Sequence, residues 1–222
     1  VLLAIDTATG TVGAAVHDGE RVLAEVVHED ARRHGELLAP AIRGALDQAG
    51  VPVSALSAVV CGVGPGPFTG LRVGVVTALT LAHSRGLLPP QGICSLDAVA
   101  HQGVSVHEGE LLVATDARRR EVYWARYEVG AHTARRLDGP GVARAADLPE
   151  PVRTLPVAGR GAALYPEALT GPPLPGVTDA RPGALAELAV RLRRGDHPDA
   201  STALLPPEPL YLRRPDAVEP SR

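Results

Sequence analysis

Residues 62–74 read GVGPGPFTGLRVG, and the stretches on either side take their meaning from it. Upstream, residues 56–63 are apolar and rich in β-branched side chains, so a buried strand is expected there. A Gly/Pro turn follows, and from about residue 69 to 84 the apolar residues recur at helical spacing until Gly86. A strand that enters such a turn and leaves as a helix presents free backbone N–H groups where an anion is stabilised. The dinucleotide pattern G-x-G-x-x-G nevertheless fails. Started at Gly62 it meets Pro67, which cannot donate, and started at Gly64 it meets Thr69. The helix carries a second signal. Gly70, Gly74, Ala78 and Ala82 form a stripe of small residues, while Leu71, Val75, Val76, Leu79 and Leu81 make much of the remaining circumference apolar. A helix apolar on more than one side must be covered on more than one side, so one face is expected in the core and another, with the small stripe allowing close approach, against a partner protein.

Toward the N-terminus, residues 1–7 are a short apolar run, followed by strand-like stretches at 11–17 and 21–28 joined by Asp18-Gly19. Asp-Gly between such runs is a hairpin signal, and three consecutive antiparallel strands are expected. Between residues 33 and 49 the period changes: Leu38, Ile42, Ala45, Leu46 and Ala49 share one helical face, and Gly50 and Pro52 supply the stop. Toward the C-terminus, 111–115 and 122–127 read as strands around the turn DARRRE, 154–158 as a strand and 184–194 as a helix. Residues 139–156 and 172–182 are Pro/Gly-rich and read as connection. A boundary near 97–108 divides the chain into residues 1–100 and 101–222, with an extended tail from Pro206 anchored by Tyr211 and Leu212.

Composition excludes more than it assigns. At 222 residues and 45% hydrophobic the chain can bury a sizeable core. A formal charge of -3 and a pI near 6.3 argue against a protein that grips nucleic acid alone, so any such contact is expected to be shared with a partner. All 22 basic residues are arginine, which excludes a Walker phosphate loop, a Schiff-base aldolase and a pyridoxal enzyme. Cys61 and Cys94 lie in apolar runs and are expected as buried free thiols. The pairs His28 and His34, and His101 and His107, lack the three- or four-residue helical spacing of a metal site, so no metal is expected. Ser84 and Ser95 lack the G-x-S-x-G elbow. The opening VLLAIDTATG lacks a basic leader before a long apolar stretch, and no apolar run approaches the ~20 residues of a membrane helix, so a cytoplasmic location and no membrane contact are expected.

The strand-strand-strand-helix-strand-helix order resembles one half of the actin-like superfamily that includes the sugar kinases, and the second half looks like a reduced copy. The resemblance implies an α/β, two-lobed actin-like fold with a degenerate second lobe. In such ATPases an Asp and a Gly-Thr turn at the end of the first strand face the nucleotide phosphates. The matching positions here, Asp6, Thr7 and Thr9, together with Gly66, Thr69 and Arg118, make a candidate residual phosphate or anion site. Where the second half would need Asp-x-Gly, this chain has Asp116-Ala117-Arg118, and Gly159-Arg160-Gly161 falls where adenosine-binding glycines would lie.

GPGPFTGLRVG (64–74) and DARRREVYWARY (116–127), with IDTAT near the start and PLYLRRPDA near the end, resemble the signatures of the TsaB (YeaZ) family. That resemblance implies a subunit without catalysis of its own and without a cofactor of its own. It would pair with TsaD in threonylcarbamoyl transfer to the tRNA adenosine beside the anticodon, joined by the ATPase TsaE and supplied by TsaC. ATP would be used by the partners, and tRNA would be met indirectly. The H-x-x-x-H metal motif of TsaD is absent here. The implied partner surface uses the first two helices, here Leu37, Leu38, Ala41 and Ala45, then Leu71, Val75, Ala78 and Leu79, and the same surface is expected to form a homodimer when the chain is alone. Pro67 stands where the family has Ser, which weakens any capping or anion-binding role of the loop. The competing reading is an actin-like ATPase or peptidase active on its own.

Overall fold

The computed structural model describes residues 1–29, 33–197 and 204–213. Strands β1 (Leu2–Asp6), β2 (Val12–His17) and β3 (Val22–His28) form the expected antiparallel meander. Asp18 makes the second turn by accepting the Glu20 and Arg21 N–H groups on Oδ1 at 2.7 and 2.8 Å. Helix α1 (His34–Ala49) ends at Gly50, whose φ of 64° needs no Cβ. Strand β4 (Ala58–Gly64) returns parallel to β1, α2 (Phe68–Ser84) leaves it, and β5 (Gln91–Cys94) pairs parallel to β4. The first sheet therefore runs β3-β2-β1-β4-β5.

Helix α3 (Ser95–Gly103) leads to β6 (Gly109–Asp116), β7 (Glu121–Val129) and β8 (Ala134–Arg144). The short helix α4 (Glu150–Arg153), β9 (Val157–Ala158), the short helix α5 (Gly161–Leu164) and α6 (Pro182–Arg194) follow. The second sheet runs β8-β7-β6-β9. This repeats the order of the first four strands of the first sheet without a fifth, and its fourth strand is two residues long. The two-lobed α/β arrangement with a reduced second lobe is thus present.

Both faces of the first sheet are covered, which explains why residues 1–5 are apolar without alternation. Leu3 and Ile5 pack with Leu38, Ala45, Val75 and Ala78 from α1 and α2. Leu2 and Ala4 pack with Leu185, Leu188 and Ala189 from α6. The last helix of the second half therefore covers the first sheet. Cys61 and Cys94 are buried free thiols, and burial pushes both up to about 12.

Four elements differ from the sequence reading. Strand β5 and helix α3 were not expected, and α3 runs into the 97–108 stretch where the lobe boundary was expected. Strand β8 runs through Gly139-Pro140-Gly141, which reads as connection. It is an edge strand, where a residue without an N–H is tolerated, and Gly141 leaves room for the Trp124 ring, whose Nε1 would lie 2.8 Å from an added Cβ. The strand expected at 154–158 contracts to β9 because α4 takes the residues just before it. Residues 204–213 form a strap over both lobes. Leu205 exchanges backbone hydrogen bonds with Gly92 at 2.7 and 2.8 Å, and the Leu210 N–H donates to the Val63 carbonyl at 2.7 Å. Leu205 and Leu210 thus join Tyr211 and Leu212 as anchors, while residues 214–217 of the PLYLRRPDA motif lie outside the described residues.

Candidate functional site

At the end of β1 the Asp6 carboxylate is enclosed on every side. Its Oδ1 accepts the Ala8 N–H at 2.8 Å and its Oδ2 the Ser95 hydroxyl at 2.7 Å. Ser95 Oγ in turn accepts the Gly64 N–H at 3.3 Å. A Cβ on Gly62 would fall 1.7 Å from Asp6 Oδ2, so only glycine fits above it. Burial pushes Asp6 up to about 6, against the opposing pull of the Ser95 and Ala8 hydrogen bonds, and the nearby Asp179 adds to the rise. Thr7 is also buried and donates to the Gly70 carbonyl at 2.7 Å. These two residues anchor the loop and the first turn of α2 from beneath.

Between the lobes lies a cleft of about 350 Å³, whose wall includes Thr9, Gly10, Thr115, Arg118 and Arg160. Of the six residues of the candidate anion site, the structure brings Thr9 and Arg118 to this wall. Asp6 and Thr7 lie below it. Gly66 is buried, its carbonyl accepting the Tyr123 hydroxyl at 3.3 Å, and Thr69 is exposed on α2 outside the wall. The six therefore do not form one site. The residue that completes the wall is Asp179, 3% exposed. Its Oδ1 accepts the Gly10 N–H and its Oδ2 the Arg160 Nε–H, both at 2.8 Å. The protein's own carboxylate thus occupies the turn amide that an external anion would need. Neighbouring bonds tie the same segments: Thr9 Oγ1 accepts the Ala180 N–H at 3.2 Å, and Gln102 Nε2 donates to the Asp179 carbonyl at 2.9 Å. Sequence reasoning missed Asp179 because a single acidic residue in a Pro/Gly-rich stretch carries no spacing signal.

The second-lobe turn is built unusually. Arg118, Arg119 and Arg120 have φ of 62°, 53° and 64°, three consecutive left-handed residues with side chains. The Arg118 N–H donates to Asp116 Oδ1 at 2.7 Å, and its guanidinium lies 3.4 Å from Asp116 Oδ2. All three arginines are exposed.

The helices expected to meet a partner need correcting residue by residue. Leu38, Ala41, Ala45, Leu71, Val75 and Ala78 are all 3% exposed or less and belong to the chain's own core. The small-residue stripe also faces inward. A Cβ on Gly70 would lie 2.6 Å from the Thr7 carbonyl, and one on Gly74 would lie 2.4 Å from Thr7 Oγ1, so the stripe admits the β1–β2 turn rather than another protein. Of the eight residues, Leu79 is exposed and Leu37 half-buried. Val76, counted in the apolar circumference of the helix but left out of the eight, is the more exposed on this face, 58% against 39% for Leu79. No helix among the described residues is long and apolar enough to cross a membrane.

Similarity to known proteins agrees with this architecture. The family model described as TsaD: tRNA N6-adenosine threonylcarbamoyltransferase matches residues 21–164. An uncharacterized protein of Mycobacterium tuberculosis is 46% identical over 221 residues, covering 97% of this chain and 93% of that one. The tRNA threonylcarbamoyladenosine biosynthesis protein TsaB of Bacillus subtilis is 35% identical over 127 residues, 57% of this chain and 55% of its own length. YeaZ from Pseudomonas aeruginosa superposes with a TM-score of 0.75 at 26% identity, covering 95% of this chain and 99% of that one. A transferase-family match over more than half the chain, joined to a fold shared with YeaZ over nearly all of it, shows that the chain belongs to that family and, within it, to the TsaB (YeaZ) branch of tRNA threonylcarbamoyladenosine biosynthesis proteins.

Proposed function

We propose that the chain is a non-catalytic subunit of the assembly that places threonylcarbamoyl on the tRNA adenosine beside the anticodon, and that it holds TsaD through the outer face of α2 with the adjoining edge of α1. The observation that carries the reading is the exposure of Val76 and Leu79 on a helix whose opposite face is already sealed in the core. Apolar side chains side by side on one helix are the surface a partner covers. The Asp179 carboxylate on the Gly10 amide supports the absence of catalysis, since it fills the position where a nucleotide phosphate would bind. In this reading TsaE joins the pair, ATP is consumed by the partners, and the same face closes on a second copy when TsaD is absent.

The test is co-purification with TsaD after Val76→Arg or Leu79→Arg, with thermal unfolding as a check on folding. Loss of the complex with an unchanged Tm is expected, since an arginine buried unpaired in an interface costs about 3 kcal/mol or more. A complex that survives both substitutions would place the partner elsewhere. Reconstitution with TsaC, TsaD, TsaE, tRNA, threonine, bicarbonate and ATP, forming product equally well without this chain, would remove the reading altogether.

A further inference from the structure

Beside the interlobe cleft lies a second pocket of about 190 Å³, between the 116–121 turn and the C-terminal strap. Its size is well below the ~300 Å³ of a site for a drug-sized ligand, so it suits one ring system rather than a whole cofactor. One wall is aromatic. Tyr211 stacks on Phe68 with ring centroids 5.0 Å apart at 29°, and its hydroxyl accepts the Arg72 Nε–H at 3.1 Å, while the Arg72 guanidinium lies 3.8 Å from the Phe68 ring centre. Tyr211 is thereby held in place and is still 40% exposed. The opposite wall is formed by the arginine turn and Arg213, whose guanidinium pairs with Glu121 and donates to the Ala117 carbonyl.

The turn itself asks for explanation. Left-handed positions suit Gly, Asn or Asp, and an L-residue with a longer side chain is strained there. Here all three carry guanidinium groups at φ of 62°, 53° and 64°, in a chain whose net charge is -3, and Arg118 and Arg119 line the pocket. A fixed aromatic platform facing a cluster of planar cations is the chemistry that recognises a single-stranded nucleotide: the base stacks and the phosphate takes the forks. A turn that offers several guanidinium groups suits successive phosphates better than one.

We propose that this pocket binds an unstacked nucleotide of the tRNA, its base against Tyr211 and its flanking phosphates on Arg118 and Arg119, the two arginines of the turn that line it. The assignment rests on the reading of the chain as a subunit that works on tRNA, and it adds direct contact where that reading has none. It is tested by fluorescence anisotropy of labelled bulk tRNA, titrated over a range of salt against the isolated chain and against the chain co-purified with TsaD. Tyr211→Ala is expected to weaken binding about 10-fold. Arg118→Gly is expected to lower the salt slope by about one while leaving Tm unchanged or higher, because glycine relieves the positive φ. That opposition of stability and affinity separates lost contact from lost fold. Wild-type affinity and salt slope in both variants, or no binding of tRNA by either wild-type form, would overturn the proposal. Displacement of the tRNA by AMP at matched phosphate concentration would also overturn it, by assigning the pocket to a free nucleotide. Failure of the TsaD complex to form would count against the scaffold reading alone, since the isolated chain still reports on RNA.

Discussion

Asp6 lies beneath the interlobe cleft and Asp179 forms part of its wall. The sign of the Asp6 effect follows from its raised pKa. Between the ordinary value of 3.8 and the folded value of about 6 the native state holds a proton that the unfolded state has released, so stability from this group falls as pH rises through that window. Fully developed above pH 6, the loss amounts to about 3 kcal/mol. Asp6→Asn cannot ionise and keeps an acceptor for the Ala8 N–H and a donor for Ser95. Urea unfolding at pH 5 and pH 7.5 is expected to show the variant gaining on wild type at the higher pH, and an equal pH dependence of the two proteins would refute the assignment. Asp179→Ala leaves the Gly10 N–H and the Arg160 guanidinium without their shared acceptor, and a loss of about 2 kcal/mol in the same assay is expected for a charged hydrogen-bond network of this kind. Neither carboxylate is legible as a buried anchor from its neighbours in the chain. Asp6 was read as facing a ligand, because strand-end position alone does not tell whether a glycine and a serine close over it.

Helix α2 shows how far periodicity reaches. Its excess of apolar surface is plain in the sequence, but which side faces outward depends on the phase at which the β1–β2 turn docks. The small stripe was assigned to a partner and instead receives Thr7. One consequence can be measured. Val75→Arg places a charge at a site 3% exposed and is expected to unfold the domain, whereas Val76→Arg, one residue on at a site 58% exposed, is expected to leave Tm within about 1 °C and abolish only partner binding. Unfolding by the Val76 substitution would show that its exposure is misassigned. Strands β1 to β4 were legible because turn chemistry and continuous apolar runs agree there, while β5 was not read. β8 was not, because Pro140 between two glycines has the composition of a loop and is admitted only by an edge position.

The two lobes are joined by more than α3. The strap crosses from the β5 edge through β4 and α2 to the arginine turn, with Leu205, Leu210 and Leu212 half-buried against the core. A chain ending before Leu204 loses four half-buried leucines, Leu204 included, at about 1 kcal/mol each, so a clear fall in Tm is expected. An unchanged melting curve would show the strap to be dispensable. Together with the Asp179 bonds, the strap adds contacts that tie the two lobes.

Local chemistry was enough for the order of elements from β1 to α2, the repeated half, the family motifs and the two buried thiols, because each rests on turn residues, periodicity or a contiguous signature. Burial on two sides of the first sheet, the inward phase of α2, the closing of Asp179 onto Gly10 and the meeting of Tyr211 with the arginine turn depend on contacts between residues far apart in the chain, 169 positions in the case of Gly10 and Asp179. No window of sequence contains both partners of such a contact, so docking of the finished elements settles it.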